Sequence, residues 1–220
     1  YQSDSQVSRL NRAGSLHSPS ADLLALLSQS QSIHSLTNGA FDPTVQVLWQ
    51  RYAEHFRQHP HSNVAPNVQA ALRQVGLQNV QMDGQKITFA KPNMAITLNG
   101  IAQGYITDRI TQLLQRAGLQ HALVNMGELR HLQNQALATS SGYGTPFDAN
   151  GKFTHLFDPR TGSSAPRYQS ISVLANTATM ADALSTAFAV SSEAQIQTVA
   201  KQAGVKVWLV TLDGQVKTLG

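Results

Sequence analysis

Apolar and polar residues recur along the chain with two different periods. From residue 20 to residue 37, apolar side chains return every three or four positions, which predicts an amphipathic helix that starts after Ser20 and ends at Asn38-Gly39. The same spacing predicts a helix around Asp182 and further helices at 45–56, 67–75, 106–117 and 193–203.

Shorter apolar runs between turn residues predict strands. The clearest signal is a hairpin, in which residues 80–82 and 86–89 flank the turn Asp83-Gly84. Further strands are predicted at 95–98, 122–126, 136–140, 153–157, 170–175, 207–211 and 216–219. Because helices and strands alternate without a strict βαβ rhythm, we expect an α+β (mixed α/β) fold, a single domain of mixed sheets with packed helices over residues 1–220.

Composition narrows the possible functions. The 220 residues are 41% hydrophobic and 13% charged, which fits a globular protein with a core. The net charge of +4 comes from scattered basic residues, so nucleic acid is not an expected partner. The absence of cysteine excludes disulfides, thiolate metal ligands and cysteine nucleophiles. The chain starts at Tyr1 without a Met, so we expect an N-terminal segment, with any export signal, to be missing from it.

The stretch 177–186 carries the strongest candidate chemistry. Asp182 and Thr186 stand four residues apart on the predicted helix and project from one face, among small Ala side chains. A carboxylate and a hydroxyl are hard oxygen donors, which Mg²⁺ accepts while it keeps water or substrate oxygens as its other ligands. Taken alone, the pair fits better with a structural role, as an Asp near a helix start and a Thr bonded to a backbone carbonyl.

Four segments place this pair in a wider pattern. They are GAFDPTV at 39–45, LNGIAQGY at 98–105 followed by Asp108, HLFDPRTG at 155–162 and ADALST at 181–186. In this order, and together with residues 1–11, they resemble the ApbE-like flavin transferases, which are FAD:protein FMN transferases. The resemblance implies an ApbE-like (T-fold-like) architecture and an enzyme that splits FAD with Mg²⁺. AMP leaves, and FMN is joined through its phosphate to a Thr or Ser hydroxyl of a target protein.

The resemblance also implies roles for individual residues. The metal ligands would be the carboxylate of Asp182, the hydroxyl of Thr186 and the backbone carbonyl of Gly100. The catalytic residues would be Asp182 and His155, whose neutral imidazole can contact phosphate or assist the transfer. The expected contacts with FAD are Tyr1, Ala40, Phe41, Asp42, Thr97, Gln103 and His155. Residues 99–104 independently suit a phosphate site, because a Gly- and Ala-rich turn before a helix presents free N–H groups, although an ordinary tight connection fits equally well.

The chain departs from the family pattern at two of these positions. Thr97 stands where the family usually has an Asp, and Gln103 replaces the usual Lys, so one carboxylate and one positive charge are missing. These losses leave open an alternative function, either an FAD-binding or delivery protein or an FAD pyrophosphatase that flavinylates no protein. The connection 131–137 is also shorter than in the family, through either a true deletion or a missing loop.

The resemblance implies a setting for the reaction as well. Family members serve membrane redox complexes on the extracytoplasmic side. We therefore expect the target to be a subunit of such a complex, and the protein to be periplasmic or anchored at the inner membrane.

Other conspicuous residues are expected to be structural. Trp49, Tyr52 and Phe56 follow helical spacing and are predicted to lie in the core. Three histidines between residues 55 and 61 have no further ligand nearby in sequence and are predicted to belong to a polar loop. Residues 158–162 are turn formers that we expect to shape a loop.

Overall fold

The computed structural model describes residues 2–119, 123–127, 129–131, 135–142, 146–148 and 150–220. Contacts among these residues divide the chain into two compact units. The first unit comprises residues 1–98 and 146–165, and the second comprises residues 99–145 and 166–220. Each unit is described by itself below.

The first unit combines helices with a small antiparallel sheet. Its helices are α1 (Gln6–Ala13), α2 (Ala21–Leu36), α3 (Gln46–Gln58) and α4 (Gln69–Leu72), with 3-10 turns at Pro43–Val45 and Leu77–Asn79. Its strands are β1 (Ser15–His17), β2 (Val80–Met82) and β3 (Lys86–Phe89), in the order β1-β3-β2. The predicted hairpin is confirmed, since β2 and β3 pair as antiparallel neighbours around the Asp83-Gly84 turn.

Helix starts in this unit follow from their caps. The hydroxyl of Ser20 accepts the backbone N–H of Leu23, which satisfies a donor that the first turn of α2 leaves unpaired. Downstream, Tyr52 and Phe56 of α3 pack with Phe153 and Phe157 in a buried aromatic cluster. The predicted core positions of Tyr52 and Phe56 are therefore confirmed, whereas Trp49 keeps 40% of its surface exposed.

The second unit is built on a larger antiparallel sheet. Its strands are β4 (Leu123–Asn125), β5 (Leu129–His131), β6 (Gln135–Ser141), β7 (Tyr168–Ala175), β8 (Lys206–Thr211) and β9 (Val216–Leu219), paired in sequence order. Its helices are α5 (Ala102–Arg116), α6 (Ala178–Phe188) and α7 (Glu193–Ala203). Helix α6 packs against β6 and β7, and α5 packs against α6. Helices and sheets in both units confirm the α+β class, while the single-domain assignment stays a prediction.

Two predicted strands are wrong. Residues 95–98 form no ladder, because the Asn11 side chain takes both backbone bonds of Ile96: its amide donates to the carbonyl at 2.9 Å, and its oxygen accepts the N–H at 2.8 Å. Residues 153–157 form a loop with one isolated bridge, between Pro146 and Thr154. The backbone N–H of Phe153 donates to the Asp148 side chain and that of Thr154 donates to the carbonyl of Ser164, so neither is left for a strand partner.

Local periodicity also missed three short elements, α1, β1 and β5, and it started α5 four residues late. In the part of the chain that the structure describes, no helix is long and apolar enough to cross a membrane.

Candidate functional site

The N-terminus of α6 is anchored to α5 by a buried carboxylate. Asp108 of α5 accepts the backbone N–H of Ala178 at 2.9 Å and that of Thr179 at 2.8 Å, and it also accepts the Thr179 hydroxyl at 2.6 Å. The side chain of Thr177 accepts the Met180 N–H and completes the cap. These bonds fix the start of α6, and with it the direction in which the next turn projects its side chains.

One turn later, Asp182 lies buried against α5. It is 6% exposed, and its Oδ2 accepts the backbone N–H of Gly104 at 2.9 Å. This approach requires glycine at position 104, since a Cβ there would lie 2.2 Å from the carbonyl oxygen of Ala178 and 2.8 Å from the Asp182 Cβ. The glycine within the LNGIAQGY segment therefore lets the two helices meet at the carboxylate.

The electrostatic surroundings of Asp182 are unfavourable for its charge. Burial raises the pKa of this carboxyl to about 6, and the Gly104 N–H lowers it by less than burial raises it. Among the described residues, no Lys, Arg or His pairs with it. A buried carboxylate without a cationic partner is suited to receive a cation from solution.

Thr186 brings a second oxygen to the same face of α6, and Gly100 lies against it. A Cβ on Gly100 would lie 3.0 Å from Thr186 Oγ1, so the Thr186 side chain occupies the space beside this glycine. The structure thus places near one another the three residues that the family resemblance assigns to the metal, namely Asp182, Thr186 and Gly100.

A chain of hydroxyl groups supports this face from the sheet. Ser140 on β6 lies 2.7 Å from the Ser185 hydroxyl and 3.5 Å from that of Thr186. Ser185 donates to the backbone carbonyl of Asp182 at 2.9 Å, so the Ser140 hydroxyl donates to Ser185 and stays an acceptor for Thr186. Sequence reasoning missed Ser140, because it lies in a predicted strand 45 residues before Ser185 and no local pattern connects the two.

Gln103 lies on the first turn of α5, and its side chain is exposed. Its amide nitrogen donates to the carbonyl of Met126, at the end of β4. Gly127 leaves room for this contact, because a Cβ there would overlap the Gln103 amide. The predicted FAD contact of Gln103 stays a prediction, and in this structure the amide is occupied by the chain itself.

In the first unit, Asp42 joins two turns. Its Oδ1 accepts the N–H of Thr44 at 2.8 Å and the Thr44 hydroxyl at 2.6 Å, while its Oδ2 accepts the N–H of Leu77 at 3.0 Å. The neighbouring Ala40 and Phe41 are each 4% exposed. Asp42 thus has a structural role, Ala40 and Phe41 are buried beside it, and the predicted contact of these three residues with FAD stays a prediction.

Thr97 lies beside this turn, because its N–H donates to the carbonyl of Pro43 at 2.8 Å. His155 is half-buried in the loop that follows Phe153. Tyr1, the remaining predicted FAD contact, lies outside the described residues. The structure thus groups Thr97 with the 40–44 segment inside the first unit, and His155 belongs to a separate loop of that unit.

Residues 158–162 form the closed loop that their turn residues predict. The guanidinium of Arg160 binds the Asp158 carboxylate through two bonds, at 2.8 Å and 3.0 Å, which raises the pKa of Arg160. The backbone N–H of Gly162 donates to the Asp158 carbonyl at 2.8 Å and closes the turn.

The three histidines between 55 and 61 lie at the end of α3 and in the loop that follows it. His55 belongs to α3, and its Nε2 lies 3.1 Å from the carbonyl of Val64. Across the described parts of the chain, no group of three or more His, Cys, Asp or Glu side chains could hold a metal ion.

Comparison with known proteins decides the family. A model of the ApbE family matches residues 1–132 and 128–209, which is nearly the whole chain. The chain belongs to the ApbE family. The two matched stretches overlap at residues 128–132, where the short connection 131–137 begins.

Two curated relatives that align over most of this chain share the name FAD:protein FMN transferase. The FAD:protein FMN transferase of Haemophilus influenzae is 29% identical over 252 residues, which cover 96% of this chain and 72% of that protein. The FAD:protein FMN transferase of Vibrio cholerae is 25% identical over 249 residues, in an alignment that covers 96% of this chain and 73% of that protein. Both alignments are longer than this chain, so these ApbE relatives have residues with no counterpart here.

Solved ApbE structures share the fold. The ApbE protein from Thermotoga maritima superposes with a TM-score of 0.86 at 25% identity, covering 98% of this chain and 81% of that one. The apo form of the Pseudomonas stutzeri flavinyl transferase ApbE gives a TM-score of 0.82 at 24% identity, over 100% of this chain and 80% of that one. The likeness confirms the expected ApbE-like architecture.

The oxygen set on α6 fits the Mg²⁺ expected in an ApbE protein. Mg²⁺ is typically held by one or two carboxylates together with substrate phosphates and water. Asp182 supplies a desolvated carboxylate with one oxygen fixed by Gly104, and Thr186 supplies a neutral hydroxyl one turn further along α6. With a single carboxylate, this site suits a cation that also binds a phosphate-bearing substrate.

Proposed function

We propose that this chain is an FAD:protein FMN transferase that attaches FMN to a Thr or Ser hydroxyl of an acceptor protein. The observation that carries the proposal is the Asp182, Thr186 and Gly100 oxygen set, in a chain that belongs to the ApbE family. Relatives over nearly the whole chain are named for this activity, which adds support.

The reaction exchanges the phosphoanhydride bond of FAD for a phosphate ester bond. The acceptor hydroxyl oxygen forms a bond to the FMN phosphorus of FAD, and the bond from that phosphorus to the bridging oxygen breaks. AMP leaves with the bridging oxygen, and the hydroxyl proton passes to the leaving phosphate or to solvent. One FAD therefore yields one flavinylated acceptor and one AMP.

We assign the cation of this reaction to Mg²⁺ at α6. When bound, Mg²⁺ neutralises negative charge on the diphosphate oxygens. Asp182 would hold it through the carboxyl oxygen that Gly104 leaves free, and Thr186 and, by the family resemblance, the Gly100 carbonyl would be the protein's other ligands. From the family resemblance, we also assign to His155 a contact with the phosphate or assistance to the transfer.

The acceptor and the location are further parts of the proposal. The acceptor is a subunit of a membrane redox complex, and the protein acts on the extracytoplasmic side, in the periplasm or at the inner membrane. Both statements rest on the family resemblance.

A second candidate, FAD hydrolysis or FAD delivery without protein flavinylation, is favoured by one specific observation. The Gln103 amide, which stands where the family usually has a Lys, carries no charge and is occupied by the Met126 carbonyl. A site with less positive charge stabilises the reacting diphosphate less.

The test compares the wild-type protein with Asp182→Asn, a substitution that keeps the shape of the side chain and removes its charge. Each protein is incubated with FAD, Mg²⁺ and a Thr-containing acceptor protein, and covalent flavin on the acceptor is measured by fluorescence after denaturing electrophoresis. We expect Asp182→Asn to lower the rate at least a hundredfold, which corresponds to about 3 kcal/mol of lost stabilisation.

Mn²⁺ binding, followed by electron paramagnetic resonance, provides a second readout that needs no turnover. It should weaken in Asp182→Asn and stay unchanged in the surface variant Asp213→Asn. Unchanged flavin transfer by Asp182→Asn would contradict the metal assignment. AMP release by the wild type without a labelled acceptor would favour the second candidate.

A further inference from the structure

An open cleft lies in the first unit, between α3 and the segment that carries α4. Its volume is about 710 Å³, within the size range of ligand sites. One wall is the face of α3 that bears Gln50, Arg51 and Glu54, whose spacing puts them on neighbouring turns. The opposite wall comes from residues 67–74, and Asn93 lies at the end.

The cleft is positively charged. Arg51 and Arg73 line it, and Glu54 is the acidic residue among the described lining residues. The Glu54 carboxylate is already bound by Arg57, at 2.8 Å and 3.0 Å, and this pairing lowers its pKa. Lys91 adds a third cation nearby, since its Nζ donates to the Arg73 backbone carbonyl at 3.0 Å.

The guanidinium groups differ in how they are held. Arg51 Nε donates to the carbonyl of Asn67 across the cleft at 3.2 Å, which holds the side chain in place. No carboxylate in the described residues pairs with Arg73. An oriented guanidinium and an unpaired one, on facing walls, suit a ligand with spaced carboxylates.

The remaining lining combines side-chain amides with a larger share of apolar surface. Side-chain amides both donate and accept hydrogen bonds, as do the N–H and C=O groups of an extended polypeptide. These amides belong to Gln50, Asn67, Gln69, Gln74 and Asn93, and the apolar lining residues are Val47, Ala70 and Ala71. No aromatic residue occurs among the described lining residues, so the cleft offers no ring on which an adenine or a flavin could stack.

We propose that this cleft binds an extended, acidic segment of the acceptor protein. The inference rests on the proposed function for the identity of the partner, and on the cations and amides for the chemistry. Carboxylates of the segment bind Arg51 and Arg73, and its backbone pairs with the amides. The cleft thereby selects acceptors by charge, separately from the oxygen set on α6.

The test uses a fluorescein-labelled, capped peptide of Asp, Ala and Thr residues, and a matched peptide with Asn in place of each Asp. Fluorescence anisotropy measures binding of each peptide to the full chain at low salt. We expect the Asp peptide to bind and the Asn peptide to bind about tenfold more weakly. The double variant Arg51→Gln/Arg73→Gln should lose affinity for the Asp peptide about tenfold, the size expected for two lost charge-assisted contacts near the surface.

Arg116→Gln is the control, because it removes the same charge from an exposed helix position that neither lines the cleft nor pairs with Glu54. It should leave the affinity for the Asp peptide unchanged. Equal binding of the two peptides, an unaffected double variant, or an equal loss in Arg116→Gln would overturn the proposal, and so would displacement of the peptide by FAD.

The peptide assay needs no transfer, so its outcome is separate from that of the proposed function. If the Asp peptide binds as expected while no acceptor is flavinylated, the cleft stands and the transferase assignment fails. If flavinylation proceeds and the double variant leaves the KM for the acceptor unchanged, the transferase stands and the role of the cleft is overturned.

Discussion

At the scale of single residues, Asp182 shows a conflict between stability and function. The fold buries its carboxyl group and gives it one backbone N–H, from Gly104, which does not compensate for the lost hydration of a charge. In the absence of a cation, the charged form destabilises the folded state. With a cation bound, the same burial strengthens the interaction between carboxylate and metal.

This conflict predicts that Asp182→Asn is more stable than the wild type at neutral pH when metal is chelated. The folded-state pKa of about 6 lies above the unfolded value of about 4, so the folded protein binds the proton more tightly. The wild type therefore loses stability as pH rises from about 4 to about 6. We expect a gain of about 2 kcal/mol for the variant at pH 7.5, measured by urea unfolding.

At pH 4, where the wild-type carboxyl group is protonated in the folded state, the gain should largely disappear. An equal difference between the two proteins at both pH values would contradict the burial argument. Adding Mg²⁺ at pH 7.5 should stabilise the wild type and leave Asp182→Asn unchanged.

At the scale of elements, the site depends on how closely α5 and α6 approach each other. The buried face of α5 carries Gly104, Thr107, Asp108 and Thr111, which are small or polar, and Asp108 bonds to the start of α6. Apolar Ile106 and Leu113 lie on its exposed face. The contact between the helices is therefore polar, and it sets the position of Asp182.

Gly104→Ala is predicted to separate the two helices. The added methyl group would lie 2.2 Å from the Ala178 carbonyl oxygen, which is backbone and cannot rotate away. We expect a loss of about 2 kcal/mol in unfolding free energy, typical of overpacking, together with weaker Mn²⁺ binding. Gln112→Ala, an exposed change on the same helix, is the control and should alter both quantities little. A stable Gly104→Ala protein with normal Mn²⁺ affinity would contradict this account.

The limits of sequence-based prediction also appear at this scale. Helix α2 and the β2–β3 hairpin were predictable, because their caps, turns and periodicity are local. The conformation of residues 95–98 was not predictable, because the Asn11 amide that bonds to Ile96 in place of a strand partner lies 85 residues earlier in the chain. The same reasoning found Asp182 and Thr186 within one helix but missed Ser140, which reaches them through the sheet.

At the scale of the whole molecule, the chain has the architecture and the sequence of an ApbE protein. The family model covers both units, and solved ApbE structures superpose with TM-scores of 0.82 to 0.86. The order of the motifs made this family recognisable from sequence, whereas the two compact units became visible only with the contacts of the structure. The substituted positions Thr97 and Gln103 belong to different units.

The most direct test of the central claim is the intact mass of a Thr-containing acceptor protein after incubation with this chain, FAD and Mg²⁺, with AMP quantified in the same reaction. The account predicts that the acceptor gains the mass of one FMN less one water, and that one AMP appears for each adduct. AMP release with FMN free in solution and no change in acceptor mass would contradict it.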